Sequence, residues 1–515
     1  MKYGYTMLLA ALVLLLLGVL DALLARRMKE IPQKANWRMD VVLFLSAWIV
    51  LFALNNHSFV VYNNYSYLSE SFLAGRLDSP DLPGYLESFE LGGKIYMHFA
   101  PGVSILLTPL VAIFGLHSVN YAYVGITLGA GSTVLFFRSL ENIAVGRNVR
   151  ERFWCAVLVL FGTVHCFCAA VAHSWFIGHV ASWFLLFASL YLETLPTRTR
   201  VGEGLAMFFG GLLFGLCVCC RLSNLLGAGV FVYFVFRYHR ATWLRSGLLF
   251  ALGAAVFGGL YIGMNLVRFG TVMDESYNLT HLKDLFKPLY YFMQEYFTDS
   301  RDQMDFLHAV QKMDWDAAFP QLMDRAAFLK FLQNNAEEGW NYCRYALPHT
   351  AISELSDWQI NSTFDSVVNT HFSSVGGALQ WKNASYNLYS IFGMLPEFSS
   401  EAPYVIPTLA GVSVSFCTPL IYAGLLPLWT KRRDPVVWVL LGSAIICAVP
   451  FVLNYGNGFA QFGMRYAMDF LPYALLLTCM GLTTGRWHSW KTALVLLCVL
   501  LNVWGPIYWN CFYLS

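Results

Sequence analysis

Residues 204–236 read GLAMFFGGLLFGLCVCCRLSNLLGAGVFVYFVF, two apolar runs with a single charged side chain, Arg221, between them. About 20 apolar residues wound as a helix cross the roughly 30 Å of hydrocarbon in a bilayer. Two such runs meeting at one arginine leave the chain scarcely room to turn at the membrane surface. Working outward, further runs lie at 5–25, 39–56, 119–137, 153–171 and 179–195 on the N-terminal side. On the C-terminal side they lie at 246–266, 405–429, 436–454, 467–484 and 492–511. With 204–220 and 222–236 they predict an all-α membrane protein of about 12 transmembrane helices. The composition agrees: 57% hydrophobic, 17% aromatic and 12% charged, against about 25% charged in a soluble domain. No basic run points to nucleic acid, and the formal net charge is only +2. The opening segment Tyr5 to Ala25 is long, lacks a small-residue cleavage site and runs into Arg26 and Arg27, so it reads as a retained helix.

Lysine and arginine set the orientation. The loops 26–38, 138–152, 196–203, 237–245, 430–433 and 485–491 hold 19 of the 33 cations, and all six fall on one side if the spans alternate. That alternation requires Pro101 to Gly115 not to cross, so this stretch is expected as an outer juxtamembrane helix. The domain plan is then a transmembrane region 1–266 with a first outer loop 56–118, an extracytoplasmic domain 267–404, and a second transmembrane region 405–515. The outer domain carries 17 of the 31 acids, many aromatics and helical patterns such as Ala326 to Gln333, and is expected to be largely helical. Three Asn-X-Ser/Thr triplets lie there, at Asn278, Asn361 and Asn383, a number that chance alone supplies in a loop this long. Most of the 12 cysteines fall inside apolar runs, where they pack as small residues. Neither a phosphate-binding glycine loop nor a metal-ligand spacing is present, and no internal repeat is visible.

The first outer loop carries YSYLSESFLAGRLD at 65–78, GYLESFELGGKIYMHFAPG at 84–102 and LLTPLVAIFG at 106–115. Further on stand CRLSNLL at 220–226, NLVRFG at 265–270 and GMRYAMDFLP at 463–472. In this order the motifs resemble the GT-C superfamily of polyprenyl-phosphate-sugar glycosyltransferases, which includes protein O-mannosyltransferases and the lipid A aminoarabinose transferase. The resemblance covers most of the membrane region and little of 271–385. It implies a GT-C-like helix arrangement and transfer of a sugar from a polyprenyl-phosphate donor to an extracytoplasmic glycan, lipid or protein, with inversion. It leaves a divalent metal open as a cofactor.

Such transfer needs cations on the lipid phosphate and a carboxylate to take the acceptor proton. Arg221, Lys94 and Arg465 are the candidate phosphate ligands. Against that role stand snorkelling to the head groups for Arg221, a local ion pair with Asp469 for Arg465 and simple solvation for Lys94. An ionisable group set between two spans is a functional candidate by default. The resemblance also implies an acid just after the first-loop helix. Here Asn55, Asn63 and Asn64 stand instead, and an amide takes no proton at neutral pH. Glu87, six residues before Gly93, and Glu70 are the candidate bases, each weighed against a solvated surface carboxylate. Asn64, His98, His173, His179, Asp274 and Arg268 are the candidate cavity residues. The six-residue spacing of His173 and His179 favours packing or hydrogen bonding over metal.

Two rivals remain. A transporter would show repeats and broken mid-membrane helices, and a catalytically inactive GT-C-like scaffold would tolerate loss of Glu87 and Glu70. The expected location is a bacterial inner membrane, active face toward the periplasm.

Overall fold

The computed structural model describes residues 33–55, 60–335 and 350–513, together with 19 and 347. Apart from residue 19, the helix expected at 5–25 lies outside the described residues. Among these residues seven helices are long and apolar enough to span a bilayer: Trp37–Leu54, Tyr121–Asn142, Ser174–Glu193, Arg200–Cys220, Trp243–Phe269, Pro435–Leu453 and Ser489–Tyr513. An eighth crossing is made if Val149–Phe161 and His165–Val171, bent by 58°, count as one. The chain is thus an all-α, multi-pass membrane protein, as its hydropathy indicates.

The count of twelve is not reproduced by full-length helices. The stretch 222–236 opens as a 3-10 turn, Leu222–Gly227, before the short helix Ala228–Tyr238. The stretch 405–429 is no single helix: the strand Val405–Ile406 is followed by Val414–Cys417, a 3-10 segment Pro419–Leu425 and Leu426–Thr430. Pro407, Pro419 and Pro427 each lack a donor N–H, and Gly411 sits at φ +91, in left-handed backbone. Hydropathy registers apolar content but not these breaks. Pro101 to Gly115 forms the helix Gly102–Phe114, 13 residues long and too short to cross.

The chain forms two compact units. One comprises 1–66, 100–261 and 382–515; the other comprises 67–99 and 262–381. In the first, Arg200–Cys220 packs against Trp243–Phe269 through glycines: a Cβ on Gly211 would overlap the Phe250 carbonyl, and one on Gly253 the Phe208 carbonyl. Small residues allow this approach between helices where lipid offers no hydrophobic drive. Gly211→Val is expected to lower the melting temperature of detergent-purified protein, an overpacking cost of about 1–3 kcal/mol. Gly258→Val, whose Cβ meets open space, should leave it unchanged; equal losses in both would refute the close-packing account.

The second unit is built around phenylalanine. Phe292, Phe306, Phe319, Phe328, Phe364 and Phe372 are buried together, and Phe292 to Phe328 centroids lie 5.1 Å apart, edge to face. Against this core sits an antiparallel hairpin, Ser88–Leu91 with Lys94–Met97. Its turn residues Gly92 and Gly93 have φ +56 and +68, the left-handed pair that a two-residue hairpin loop demands. Gly92 N–H donates to Gln303 Oε1 at 2.9 Å and Glu90 N–H to the Tyr290 hydroxyl at 2.8 Å.

Candidate functional site

The helix Arg200–Cys220 ends where Arg221 turns to extended backbone, φ −148 and ψ 105. This break swings the guanidinium off the helix. Its Nη2 and Nε donate to the two carboxylate oxygens of Asp469 at 2.7 and 3.2 Å, the paired geometry that makes arginine–carboxylate contacts strong. His179 Nδ1 lies 3.2 Å from Asp469 Oδ1. The Asp469 and His179 side chains are 4% and 2% exposed, that of Arg221 17%. Asp469 is thus a buried anion held between a fixed cation and an imidazole.

Asp469 closes the 3-10 turn Arg465–Asp469. The expected local pair between Arg465 and Asp469 is not formed; the anion takes Arg221. With three residues per turn, positions four apart in a 3-10 helix do not share a face as they do in an α-helix. Arg465 instead donates from Nη1 to Gln461 Oε1 at 3.0 Å and to the Phe459 carbonyl at 3.4 Å. It is 6% exposed and lies 4.9 Å from the Tyr466 ring centre and 5.5 Å from that of Phe176. Arg221 lies 5.4 Å from the same Tyr466 ring. Two guanidinium groups therefore share one aromatic shelf, where cation–π attraction holds them, and one carboxylate, that of Asp469, is bonded to Arg221. Trp183 Nε1 fixes the turn from below by donating to the Met468 carbonyl at 2.6 Å.

In the same unit His173 is packed among Tyr62, Trp175, Phe176 and Trp509. Asn64 is buried at the start of the helix Asn64–Leu73, and its N–H donates to Ser174 Oγ at 3.1 Å. Asn63 is buried beside it, its carbonyl accepting from the Tyr121 hydroxyl at 2.9 Å. The Asn55 side chain donates to the Ala170 carbonyl.

The remaining candidates belong to the second unit. Glu70 lines a small polar cleft with Tyr67, Ser71, Arg76, Ser79 and Asp81. Arg76 pairs with Asp78 at 2.6 Å, and this hydrogen bond holds the Asp78 carboxyl below its ordinary range. Glu87 and Lys94 are exposed. His98 Nδ1 meets Thr280 Oγ1 at 2.7 Å, edge-on to Tyr277. Arg268 lies 5.3 Å from the Tyr96 ring centre and donates to the Leu77 carbonyl at 2.7 Å. Asp274 accepts from the Ser276 N–H at 3.0 Å, while Glu275 accepts from Asn278 and pairs with His308 at 3.3 Å. No group of three or more metal-ligating side chains forms among the described residues.

The sequence motifs brought Arg221, Arg465 and His179 to notice and passed over Asp469 as the partner of Arg221, and Gln461 and Tyr466 altogether. An acid at the edge of an apolar run was the available signal for Asp469, since a buried carboxylate requires a cation.

No protein-family model and no curated protein matches this chain. Solved structures similar to it include the archaeal oligosaccharyltransferase AglB from Archaeoglobus fulgidus in complex with an inhibitory peptide and a dolichol-phosphate. Its TM-score is 0.45 at 12% identity, over 92% of this chain and 56% of that one. The apo form of the Archaeoglobus fulgidus oligosaccharyltransferase gives 0.43 over the same shares. ArnT from Cupriavidus metallidurans, bound to undecaprenyl phosphate, gives 0.33 at 12% identity, over 87% of this chain and 77% of that one. The chain spans about half the length, 56%, of the archaeal oligosaccharyltransferase.

Proposed function

We propose that this protein is a GT-C-type membrane glycosyltransferase that takes a sugar from a polyprenyl-phosphate donor and passes it to an extracytoplasmic glycan, lipid or protein, inverting the anomeric centre. The observation that carries this reading is the charge imbalance on the Tyr466 shelf. Arg221 is neutralised by Asp469, whereas Arg465, nearly buried, has no carboxylate partner among the described residues and only neutral acceptors. A buried, uncompensated guanidinium favours an anion, and a phosphate oxygen suits its planar fork.

In this reading Arg465, with Arg221, stabilises the lipid phosphate as it leaves, the electrostatic contribution that dominates reactions in which charge develops on a departing group. Arg221 keeps its orientation through Asp469. The acceptor hydroxyl or amide gives its proton to a first-loop carboxylate. Both candidates are exposed, and Glu70 is favoured over Glu87 because it lines a cleft with hydroxyl groups of the kind that bind polyols. Lys94, Arg268, His98 and Asp274 belong to the acceptor side, and the active face is placed toward the periplasm of a bacterial inner membrane. A second reading, an inactive GT-C-like scaffold, is favoured by the buried amides Asn63 and Asn64 where the resemblance implies an acid.

The test is sugar transfer by the purified protein in nanodiscs from radiolabelled polyprenyl-phosphate sugars. Glu70→Gln is expected to lower the rate by about 10²–10⁴-fold, the range for loss of a general base, and Glu87→Gln to leave it within a few-fold. Failure of every donor to bind or react would install the scaffold reading; loss on Glu87→Gln alone would move the base there.

A further inference from the structure

We propose that the helix Ala384–Phe392 and the turn after it lie in the interfacial layer of the bilayer, their outward side chains facing lipid and not water. The argument begins at the end of a span. The last carbonyls of Pro435–Leu453 have no partners within their own helix. The two N–H groups of Asn387 Nδ2 are shared among Phe451 O, Val452 O and Asn454 O at 3.0, 3.1 and 2.8 Å, and Asn383 Nδ2 donates to Leu453 O at 3.0 Å. These bonds fix the height of Ala384–Phe392 at the end of a membrane-crossing helix, where the bilayer face must be.

The other side of this nine-residue helix carries no charge at all. Tyr386, Tyr389 and Phe392, three apart and so on one side, are 53%, 55% and 50% exposed, and Leu395 follows at 58%. A water-facing helix surface puts polar residues there. The span it caps has an outward apolar face as well, on which Ile445, Ile446 and Val449 are 58%, 49% and 43% exposed. That face looks into hydrocarbon if the helix spans, and tyrosine is the residue enriched where hydrocarbon meets water, ring in the apolar layer and hydroxyl out. The water side is marked by the next hairpin, Glu397–Phe398 with Val405–Ile406, which exposes Glu397 and Glu401.

This helix is also tied to the charged shelf. Asn457 Nδ2 donates to Ser390 Oγ at 3.1 Å, its carbonyl accepts from Gln461 Nε2 at 2.9 Å, and Gln461 Oε1 receives Arg465. Ser390, buried on the inner face of this helix, is therefore three hydrogen bonds from the guanidinium that lacks a carboxylate.

The test needs no substrate. The described cysteines are buried apart from half-buried Cys511, and Cys343 lies outside the described residues, so a nitroxide is attached at Phe392→Cys or Tyr389→Cys in a Cys343→Ser, Cys511→Ser background in nanodiscs. Collision rates with oxygen, which concentrates in hydrocarbon, and with a polar nickel chelate are compared with those at Ile446→Cys and Glu401→Cys. Both stripe labels should favour oxygen over nickel several-fold, toward the Ile446 reference. Nickel collisions as frequent as at Glu401 would make the stripe a water face, and shielding from both reagents would place a second copy or another protein there; either result overturns the proposal.

Discussion

Asp469→Asn is expected to destabilise the protein by about 3–5 kcal/mol, the cost of removing one member of a buried ion pair and leaving the other. The neutral amide retains the shape but not the charge, so Arg221 would join Arg465 on the shelf without a carboxylate partner. The pair itself should contribute far less than this figure. Replacing Arg221 and Asp469 together, by methionine and leucine, should recover most of the stability, because buried pairs exchanged for apolar residues of similar volume are often neutral. Reversible unfolding in mixed micelles of the two singles and the double measures the coupling directly. A double variant as unstable as the sum of the singles would mean that the two side chains do not depend on each other.

Arg465→Gln should behave in the opposite way. Its partners are a carbonyl and an amide oxygen, so its removal strands no buried anion, and the folded protein should melt within a few degrees of the wild type. Donor binding, in contrast, should fall about 10–100-fold, corresponding to the ~1.5–3 kcal/mol of a hydrogen bond to a charged group. Binding of undecaprenyl phosphate to protein in nanodiscs reads this, with unphosphorylated undecaprenol as the control for the tail. Arg465→Lys should restore only part of the affinity, since a point charge replaces a planar fork. Unchanged binding in Arg465→Gln would remove the phosphate site from the shelf. The contrast between the two arginines is sharp because they share one ring while only Arg221 has a carboxylate to compensate it.

Composition and hydropathy were enough to establish an all-helical protein that crosses the membrane many times, and most helix positions, because one apolar helix of bilayer length is a local property of its own residues. They were enough, too, to single out Arg221, since a lone charge among apolar neighbours stands out without any fold, whereas Arg465 was marked by the motif around it. The broken stretch 405–429 was legible only in part: its prolines were visible, but an average over a window treats Pro419 and Pro427 as minor losses of hydropathy. Which acid meets which arginine was decided in three dimensions. Asp469 and Arg465 are four residues apart, and only the 3-10 winding of that turn sends them to different partners; Asp469 and Arg221 are 248 residues apart, a separation over which no pattern in the chain reports contact. The same holds for Asn387, unremarkable in a row of amides and tyrosines until the fold brings it to the carbonyls of Phe451, Val452 and Asn454. Local periodicity specifies what each segment is, whereas pairing among buried polar groups depends on which segments the packed helices bring together, and a group taken out of water must find its partner there.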